Sequence, residues 1–119
     1  MKVKGKTVYI SGPMTGWENF NKEAFDEAER RLRDMGAAGV FNPASSLPRY
    51  DQGWEREDFM LDDLDTLTMK YRALEGPAIC PVFHAVVLLP LWWTSKGARL
   101  ERKVAKAVGI PVVRLRDCV

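Results

Sequence analysis

The chain has 119 residues, of which 46% are hydrophobic and 29% are charged, and its net charge is +2. This length and composition predict one folded, soluble domain over residues 1–119 and exclude an intrinsically disordered chain. The 18 Lys and Arg residues nearly balance the 16 Asp and Glu residues. Bulk charge therefore predicts neither a nucleic acid nor a membrane surface as a partner.

The cysteines and the N-terminus indicate the expected compartment. Cys80 and Cys118 do not form a disulfide framework, and no Cys/His spacing predicts a zinc site. The apolar run near the N-terminus ends before Ser11, which makes it too short for a signal peptide or a membrane span. We therefore expect a cytoplasmic protein that uses no metal and no organic cofactor.

Strands and helices alternate in the first part of the chain. Residues 7–10 are β-branched and aromatic and predict a short buried strand. Apolar residues at helical spacing then predict a helix, which a cap at Asn19 or Asn21 begins and which continues to about Met35. Residues 40–41 predict a second short strand.

The alternation continues in the second part. Residues 44–55 show no periodicity and predict a loop, and a second helix is predicted from Arg56 to about Leu74. Gly and Pro residues within 75–81 predict a break. Residues 84–89 are apolar after the first position, which is typical of a strand that is covered on both faces.

A third helix over 95–108 and a last strand over 111–115 complete the order β-α-β-α-β-α-β. This alternation predicts a Rossmann-like three-layer α/β sandwich with a mostly parallel sheet of four or five strands. Ligands of such sheets bind outside the carboxyl ends of the strands. We therefore expect the site in the loops that follow Ile10, Phe41 and Leu89.

Glu101 falls on the apolar face of the third predicted helix. With about 100° per residue and Ala98 at zero, the Arg and Lys residues lie between about 40° and 140°, and Glu101 lies at about 300°. An unpaired buried carboxylate costs several kcal/mol, so Glu101 is a candidate functional group. The alternatives are a local ion pair, for which Gly97 and Ala105 offer no cation, a capping box, or a frayed helix end.

The start of the same helix is suited to an anion. Ser95 is a good N-cap, Gly97 leaves the backbone amides accessible, and Lys96 adds a cation. Helix N-termini bind phosphates through their N–H groups and the helix dipole. Because Gly97 lies one turn from Glu101 on the same face, the spacing predicts a phosphate near a reacting centre. The alternative for Ser95 is ordinary capping.

With these residues, the chain resembles the nucleoside 2-deoxyribosyltransferase-like superfamily. It looks most similar to the small domains of that superfamily that begin with Tyr-Ile-Ser-Gly-Pro-Met-Thr-Gly. The resemblance spans nearly the whole chain. The motifs that carry it are at residues 9–16, 21, 25, 42–44, 89–90, 92, 95–98, 101 and 109–112.

The resemblance implies a Rossmann-like fold and cleavage or transfer at the N-glycosidic bond of a 2′-deoxynucleoside or its 5′-monophosphate. It implies that Glu101 is the nucleophile and that Ser95 and Gly97 hold the 5′-phosphate. It further implies a homodimer or higher homo-oligomer in which neighbouring subunits complete each site. The other substrate contacts that it implies are Tyr9, Gly12, Pro13, Met14 and Asn42.

The chain departs from the superfamily pattern at a few positions. His84 stands where an Asp is common, and a His can donate a proton to the departing base; the alternative is a strand-edge His without a catalytic role. Thr15 stands where the glycosidase branch has Arg, and Leu91 stands where relatives with the same start usually have Gly. Asp63 falls among the apolar positions of the second helix, and a solvated face is its alternative. Two functions stay open: an N-glycosidase or transferase, and a nucleotide-binding module that catalyses nothing.

Overall fold

We describe the protein from a computed structural model, which covers residues 1–45, 53 and 55–119. The helices and strands alternate largely as the sequence predicts. In chain order the elements are β1 (Thr7–Ser11), α1 (Lys22–Asp34), β2 (Gly39–Phe41), α2 (Arg56–Leu67), β3 (Lys70–Arg72), β4 (Ile79–Pro81), β5 (Ala85–Leu88), α3 (Lys96–Ala107) and β6 (Val112–Arg114).

Four of the strands form one sheet in the order β2-β1-β5-β6, and every pairing within it is parallel. One face of the sheet packs in a core with Phe25 and Leu32 of α1. The other face packs in a core with Leu67 of α2 and Ala105 of α3. The predicted Rossmann-like three-layer α/β fold is therefore confirmed.

Side chains along β1 point alternately to the two faces of the sheet. Val8 and Ile10 belong to the core on the α1 face, whereas Tyr9 belongs to the core beneath α2 and α3. Because successive strand residues point to opposite faces, Ser11 lies on the same face as Tyr9. Two hydroxyl groups at the carboxyl end of β1 are thus directed toward α3.

The two strands that pair with β1 lie on opposite flanks of it. The connection through α1 leads to β2 on one flank of β1, and β5 pairs on the opposite flank. This arrangement creates a topological switch point between β1 and β5. In open α/β sheets the crevice outside the strand ends at such a point is where ligands bind.

The second helix is predicted to continue to about Leu74, and this prediction is wrong beyond Leu67. The helix ends at Leu67, and residues 70–72 instead pair in antiparallel fashion with residues 79–81 as a separate hairpin. The spacing from Leu67 to Tyr71 imitates a helical face, but Tyr71 is 54% exposed on the hairpin. The predicted break over 75–81 is correct for the turn and wrong for its last three residues, which form β4.

The remaining elements match the predictions within a few residues. A short 3-10 turn over Glu18–Asn21 precedes α1, and residues 43–45 form another. Most of the predicted loop over 44–55 lies outside the described residues. Among the helices that the structure describes, none combines the length and apolar composition that a membrane crossing requires.

Candidate active site

Glu101 is a buried carboxylate at the carboxyl edge of the sheet, with 6% of its surface exposed. The hydroxyl of Tyr9 donates a hydrogen bond to its Oε2 atom, and the hydroxyl of Ser11 donates to its Oε1 atom at 2.8 Å. The inward orientation that the helical spacing predicts is therefore confirmed. Both carboxylate oxygens are satisfied by β1, which fixes the direction of the group.

The surroundings of Glu101 shift its acidity. Burial raises the pKa of Glu101 from its ordinary value of 4.5 to about 7, because the ionised form loses its contact with water. The hydroxyls of Tyr9 and Ser11 favour the ionised form and oppose this rise in pKa, while the negative charge of Asp63 adds to it. At neutral pH the carboxyl group is therefore divided between its protonated and ionised forms.

A second carboxylate lies beside the first. Helix α2 packs against α3, and the Sδ atom of Met60 lies 3.6 Å from the position that a Cβ atom on Gly97 would occupy. Further along both helices, Leu67 and Ala105 share one core cluster, so the two helices run in the same direction. Asp63, which is half-buried, lies about one turn after Met60 on α2, and Glu101 lies about one turn after Gly97 on α3. The two carboxyl groups are therefore at a similar height on neighbouring helices.

The carboxyl pair does not extend to a larger group of metal ligands. Across the part of the chain that the structure describes, no cluster of three or more His, Cys, Asp or Glu side chains is arranged to hold a metal ion.

The N-terminus of α3 lies at the same edge of the sheet. The hydroxyl of Ser95 accepts a hydrogen bond from the amide of Ala98 at 3.1 Å, so the predicted N-cap is confirmed. In a helix the amides of the first turn, here Lys96 and Gly97, have no intrahelical acceptor. The rise from Gly97 to Glu101 is about 6 Å along the axis. An anion at the helix tip therefore lies about one turn from the carboxylate.

The loops after β1 and β5 approach each other closely. A Cβ atom on Gly12 would lie 2.8 Å from Cβ of Leu89, so this position requires glycine. Pro13 is buried, and its carbonyl accepts a hydrogen bond from Nδ2 of Asn21 at 2.9 Å. Met14 packs against the core on the α1 face. Gly12, Pro13 and Met14 thus shape the loop that borders the site, and their contact with substrate stays a prediction.

The loop after β5 contains one unusual backbone conformation. Leu91 has a φ of +64°, in the left-handed region, and its side chain is 41% exposed. A left-handed conformation is readily adopted by glycine and is strained for leucine.

Asn42 is at the carboxyl edge, but its polar atoms are directed away from Glu101. Its Nδ2 atom donates to Oδ1 of Asp26 at 2.9 Å and to Oε1 of Glu29 at 3.1 Å. Its Oδ1 atom accepts from the amide of Ala44 at 2.9 Å. Asn42 therefore links the end of β2 to helix α1 by hydrogen bonds. This geometry does not support the predicted contact of Asn42 with substrate.

The structure does not bring His84 to the site. Its Nδ1 atom accepts a hydrogen bond from the amide of Thr7 at 2.9 Å, and its own amide donates to the carbonyl of Thr7 at 2.8 Å. Thr7 begins β1, and Ser11 at the other end is about 13 Å further along the strand. The exposed His84 side chain is thus at the amino edge, in agreement with the strand-edge alternative.

Sequence reasoning missed the two hydroxyls that hold Glu101. The resemblance predicts Tyr9 as a substrate contact and predicts no role for Ser11, although the period of two along β1 places both side chains on one face. The ring of Tyr9 also stacks on Phe41, with centroids 5.0 Å apart, and meets Phe83 edge-on at 5.4 Å. These aromatic contacts fix the hydroxyl that Tyr9 presents to the carboxylate.

The chain matches a known protein family over most of its length. Residues 6–114 match a family described as Domain of unknown function (DUF4406). No curated protein and no solved structure matches the chain. The matched segment includes every residue of the candidate site, from Tyr9 in β1 to Glu101 in α3. Because the match extends over most of its length, the chain belongs to the DUF4406 family.

Proposed function

We propose that the protein cleaves the N-glycosidic bond of a 2′-deoxynucleoside 5′-monophosphate, with Glu101 as the nucleophile. The observation that carries this proposal is the buried carboxylate, oriented by two hydroxyls, one helical turn from a capped helix tip. The resemblance of the motifs to the nucleoside 2-deoxyribosyltransferase-like superfamily supports the choice of substrate class. The cleaved sugar passes either to water or to another base.

In the proposed first step, the ionised carboxylate of Glu101 attacks C1′ of the sugar. The bond between C1′ and the base nitrogen breaks, and its electron pair leaves with the base through an oxocarbenium-like transition state. Tyr9 and Ser11 each hold one carboxylate oxygen. Their hydroxyls fix the angle of attack and increase the ionised fraction of the nucleophile.

The departing base needs a proton, and we propose that Asp63 supplies it: in the reactive form the carboxyl pair holds one proton, which is on Asp63 while Glu101 is ionised. Asp63 is near enough to Glu101 to raise the pKa of that group, and it lies about one turn beyond Met60 on α2. Pairs of neighbouring carboxyl groups perform this chemistry in retaining glycosidases. In the second step Asp63 takes a proton from water, which attacks C1′ and releases Glu101. His84 has no part in these steps because it lies at the opposite edge.

The helix tip holds the phosphate in this proposal. The amides of Lys96 and Gly97 donate to the phosphate oxygens, and the positive end of the helix dipole stabilises the negative charge. Gly97 contributes no side chain, so the space between the tip and Glu101 is left for the sugar. Met60 of α2 borders this space and helps to keep water away from it.

The test is the release of free base from each of the four deoxynucleoside monophosphates, separated by chromatography at pH 7. Glu101→Gln keeps the volume of the side chain and removes the nucleophile, so we expect release to fall by about three orders of magnitude or more. Glu23→Gln, on the exposed side of α1, is the matched control and retains full release. Equal release by the wild type and Glu101→Gln would contradict the proposal.

A nucleotide-binding module without activity is the second candidate. The observation that favours it is the position of His84. This residue stands where the superfamily commonly has Asp, and it lies too far from Glu101 to act on the reacting centre. In this case the wild type and Glu101→Gln both release no base, yet both bind a deoxynucleoside monophosphate in a calorimetric titration. Replacement of Gly97 by leucine then abolishes the binding.

We also infer a cytoplasmic homo-oligomer with shared sites. The resemblance supports this inference, and so does the small size of the chain, since 119 residues offer little surface with which to enclose a nucleotide. Sedimentation velocity at micromolar concentration is expected to give a species of at least twice the chain mass. A single species of the monomer mass would contradict the oligomer.

A further inference from the structure

A second cleft lies on the flank of α3 that faces β6, the outer strand of the sheet. Its volume is about 420 Å³, within the usual size of small-molecule sites. Trp92, Val112 and Val113 contribute apolar wall, and three cationic residues and one acidic residue contribute charge. The charged residues are Arg102, Lys106, Arg114 and Asp117.

The charges of this cleft do not cancel. Arg114 is paired with Asp117, with its Nε atom 3.1 Å from Oδ2. Among the described residues, neither Arg102 nor Lys106 has a carboxylate within ion-pair distance, so the cleft keeps an excess of two positive charges. The guanidinium of Arg102 lies 5.2 Å from the centre of the Trp92 ring. This cation–π contact holds one of the two unpaired cations in place before any ligand arrives.

The cleft is separate from the candidate active site. Arg102 directly follows Glu101, but one residue turns about 100° around a helix, so the two side chains leave α3 in different directions. Glu101 is bonded to β1, whereas the cleft borders β6, and β5 lies between these strands. The two strands are about 10 Å apart across the sheet.

We propose that this cleft binds a small phosphate monoester that has an apolar or aromatic body. The phosphoryl group lies between Arg102 and Lys106, whose two charges match its two negative charges and whose N–H groups match its oxygens. The body of the ligand lies against Trp92 and Val112. Because Asp117 is paired with Arg114, two cations of the cleft remain for a ligand, which matches one phosphoryl group rather than the many phosphates of a nucleic acid strand. This inference does not depend on the proposed function.

The probe is phenyl phosphate, titrated in phosphate-free buffer at pH 7 and followed by amide and indole NMR signals. We expect saturable shifts at Val112, Val113 and the Trp92 indole, with smaller shifts at the amides of Gly97 and Ala98. These two groups of signals report the cleft and the active-site helix tip separately.

Two double variants with matched charge test the assignment. Arg102→Gln with Lys106→Gln removes the two unpaired cations, and we expect the affinity for phenyl phosphate to fall about tenfold or more. Arg99→Gln with Lys103→Gln removes two charges from the solvent-facing side of the same helix, and the affinity is expected to stay within about twofold of the wild type. Thermal melting of both double variants confirms that they are folded.

Several results would overturn the proposal. These are the absence of saturable shifts at the cleft, an equal loss of affinity in both double variants, and shifts confined to Gly97 and Ala98. Inorganic phosphate that binds as tightly as phenyl phosphate would exclude a role for the apolar wall. A single-stranded oligonucleotide that binds more tightly than phenyl phosphate, and that both double variants weaken, would assign this face to nucleic acid instead.

Discussion

At the scale of single residues, the burial of Glu101 makes the stability of the protein depend on pH. The pKa of Glu101 is about 7 in the folded protein and near 4.5 in the unfolded chain. Between these values the folded protein keeps a proton that the unfolded chain has released, so the free energy of unfolding falls as pH rises. The stabilisation is complete below about pH 4.5 and is lost above about pH 7.

Glu101→Gln removes this titration. Relative to the variant, the wild type is expected to lose roughly 3 kcal/mol of unfolding free energy between pH 4.5 and pH 7. Urea unfolding of both proteins at four pH values across this range measures the difference, and other carboxylates cancel because both proteins share them. Parallel pH curves for the two proteins would mean that Glu101 does not titrate there.

Tyr9→Phe tests the hydroxyl that favours the ionised carboxylate. The ring keeps its contacts with Phe41 and Phe83, and the lost hydrogen bond raises the pKa of Glu101 further. We expect the rise of kcat/KM with pH to shift to higher pH and the rate at pH 6.5 to fall about tenfold. A pH profile of base release checks this, and an unchanged midpoint would contradict the role of Tyr9.

The orientation of Glu101 was predictable and its partners were not. Helical spacing alone places the carboxylate on the buried face of α3, because the basic residues of that helix occupy the opposite side. Tyr9 and Ser11 are about 90 positions away, and their contact depends on the pairing of β1 with β5. The place of His84 had a usable signal: a residue that precedes a parallel strand lies at the amino edge.

At the scale of elements, the loops after β1 and β5 depend on the absence of a side chain at Gly12. Gly12→Ala places a Cβ atom 2.8 Å from Cβ of Leu89, so the two loops must separate. We expect a loss of about 1–3 kcal/mol in unfolding free energy, measured by denaturant titration. In Leu89→Gly the Cβ atom of residue 89 and the atoms beyond it are absent, so Gly12→Ala should cost less in that background. Additive costs would exclude a direct clash.

The helices differ in how well their sequence predicts them. In α3 one apolar face and one basic face give a single register, and the predicted helix matches the structure within a residue or two. In α2 acidic residues are mixed with apolar ones, and the pattern gives no clear end. Thr68 is the C-cap of that helix, and its hydroxyl donates to the carbonyl of Leu64 at 2.7 Å. Such capping depends on side-chain geometry that periodicity does not report.

At the scale of the whole molecule, the hairpin of β3 and β4 is separable from the sheet. Both strands are largely exposed, and the carbonyl of Met69 accepts the amide of Val82 at 2.9 Å, so the two ends of the hairpin meet. Replacement of residues 70–81 by Asn-Gly should shift the melting temperature by only a few degrees. Base release should be unchanged. Loss of cooperative melting would show that the hairpin supports the sheet.

The left-handed backbone of Leu91 lowers the unfolding free energy of this chain. A leucine in this conformation costs about 1–2 kcal/mol that a glycine would not. Leu91→Gly should therefore increase the unfolding free energy by about 1 kcal/mol, as chemical denaturation can measure; no gain would show that the loop is unstrained.

The exposed Leu91 side chain adds nothing to either core. Folding alone would thus favour glycine at this position, because no contact of the leucine with either core offsets the cost of its backbone conformation.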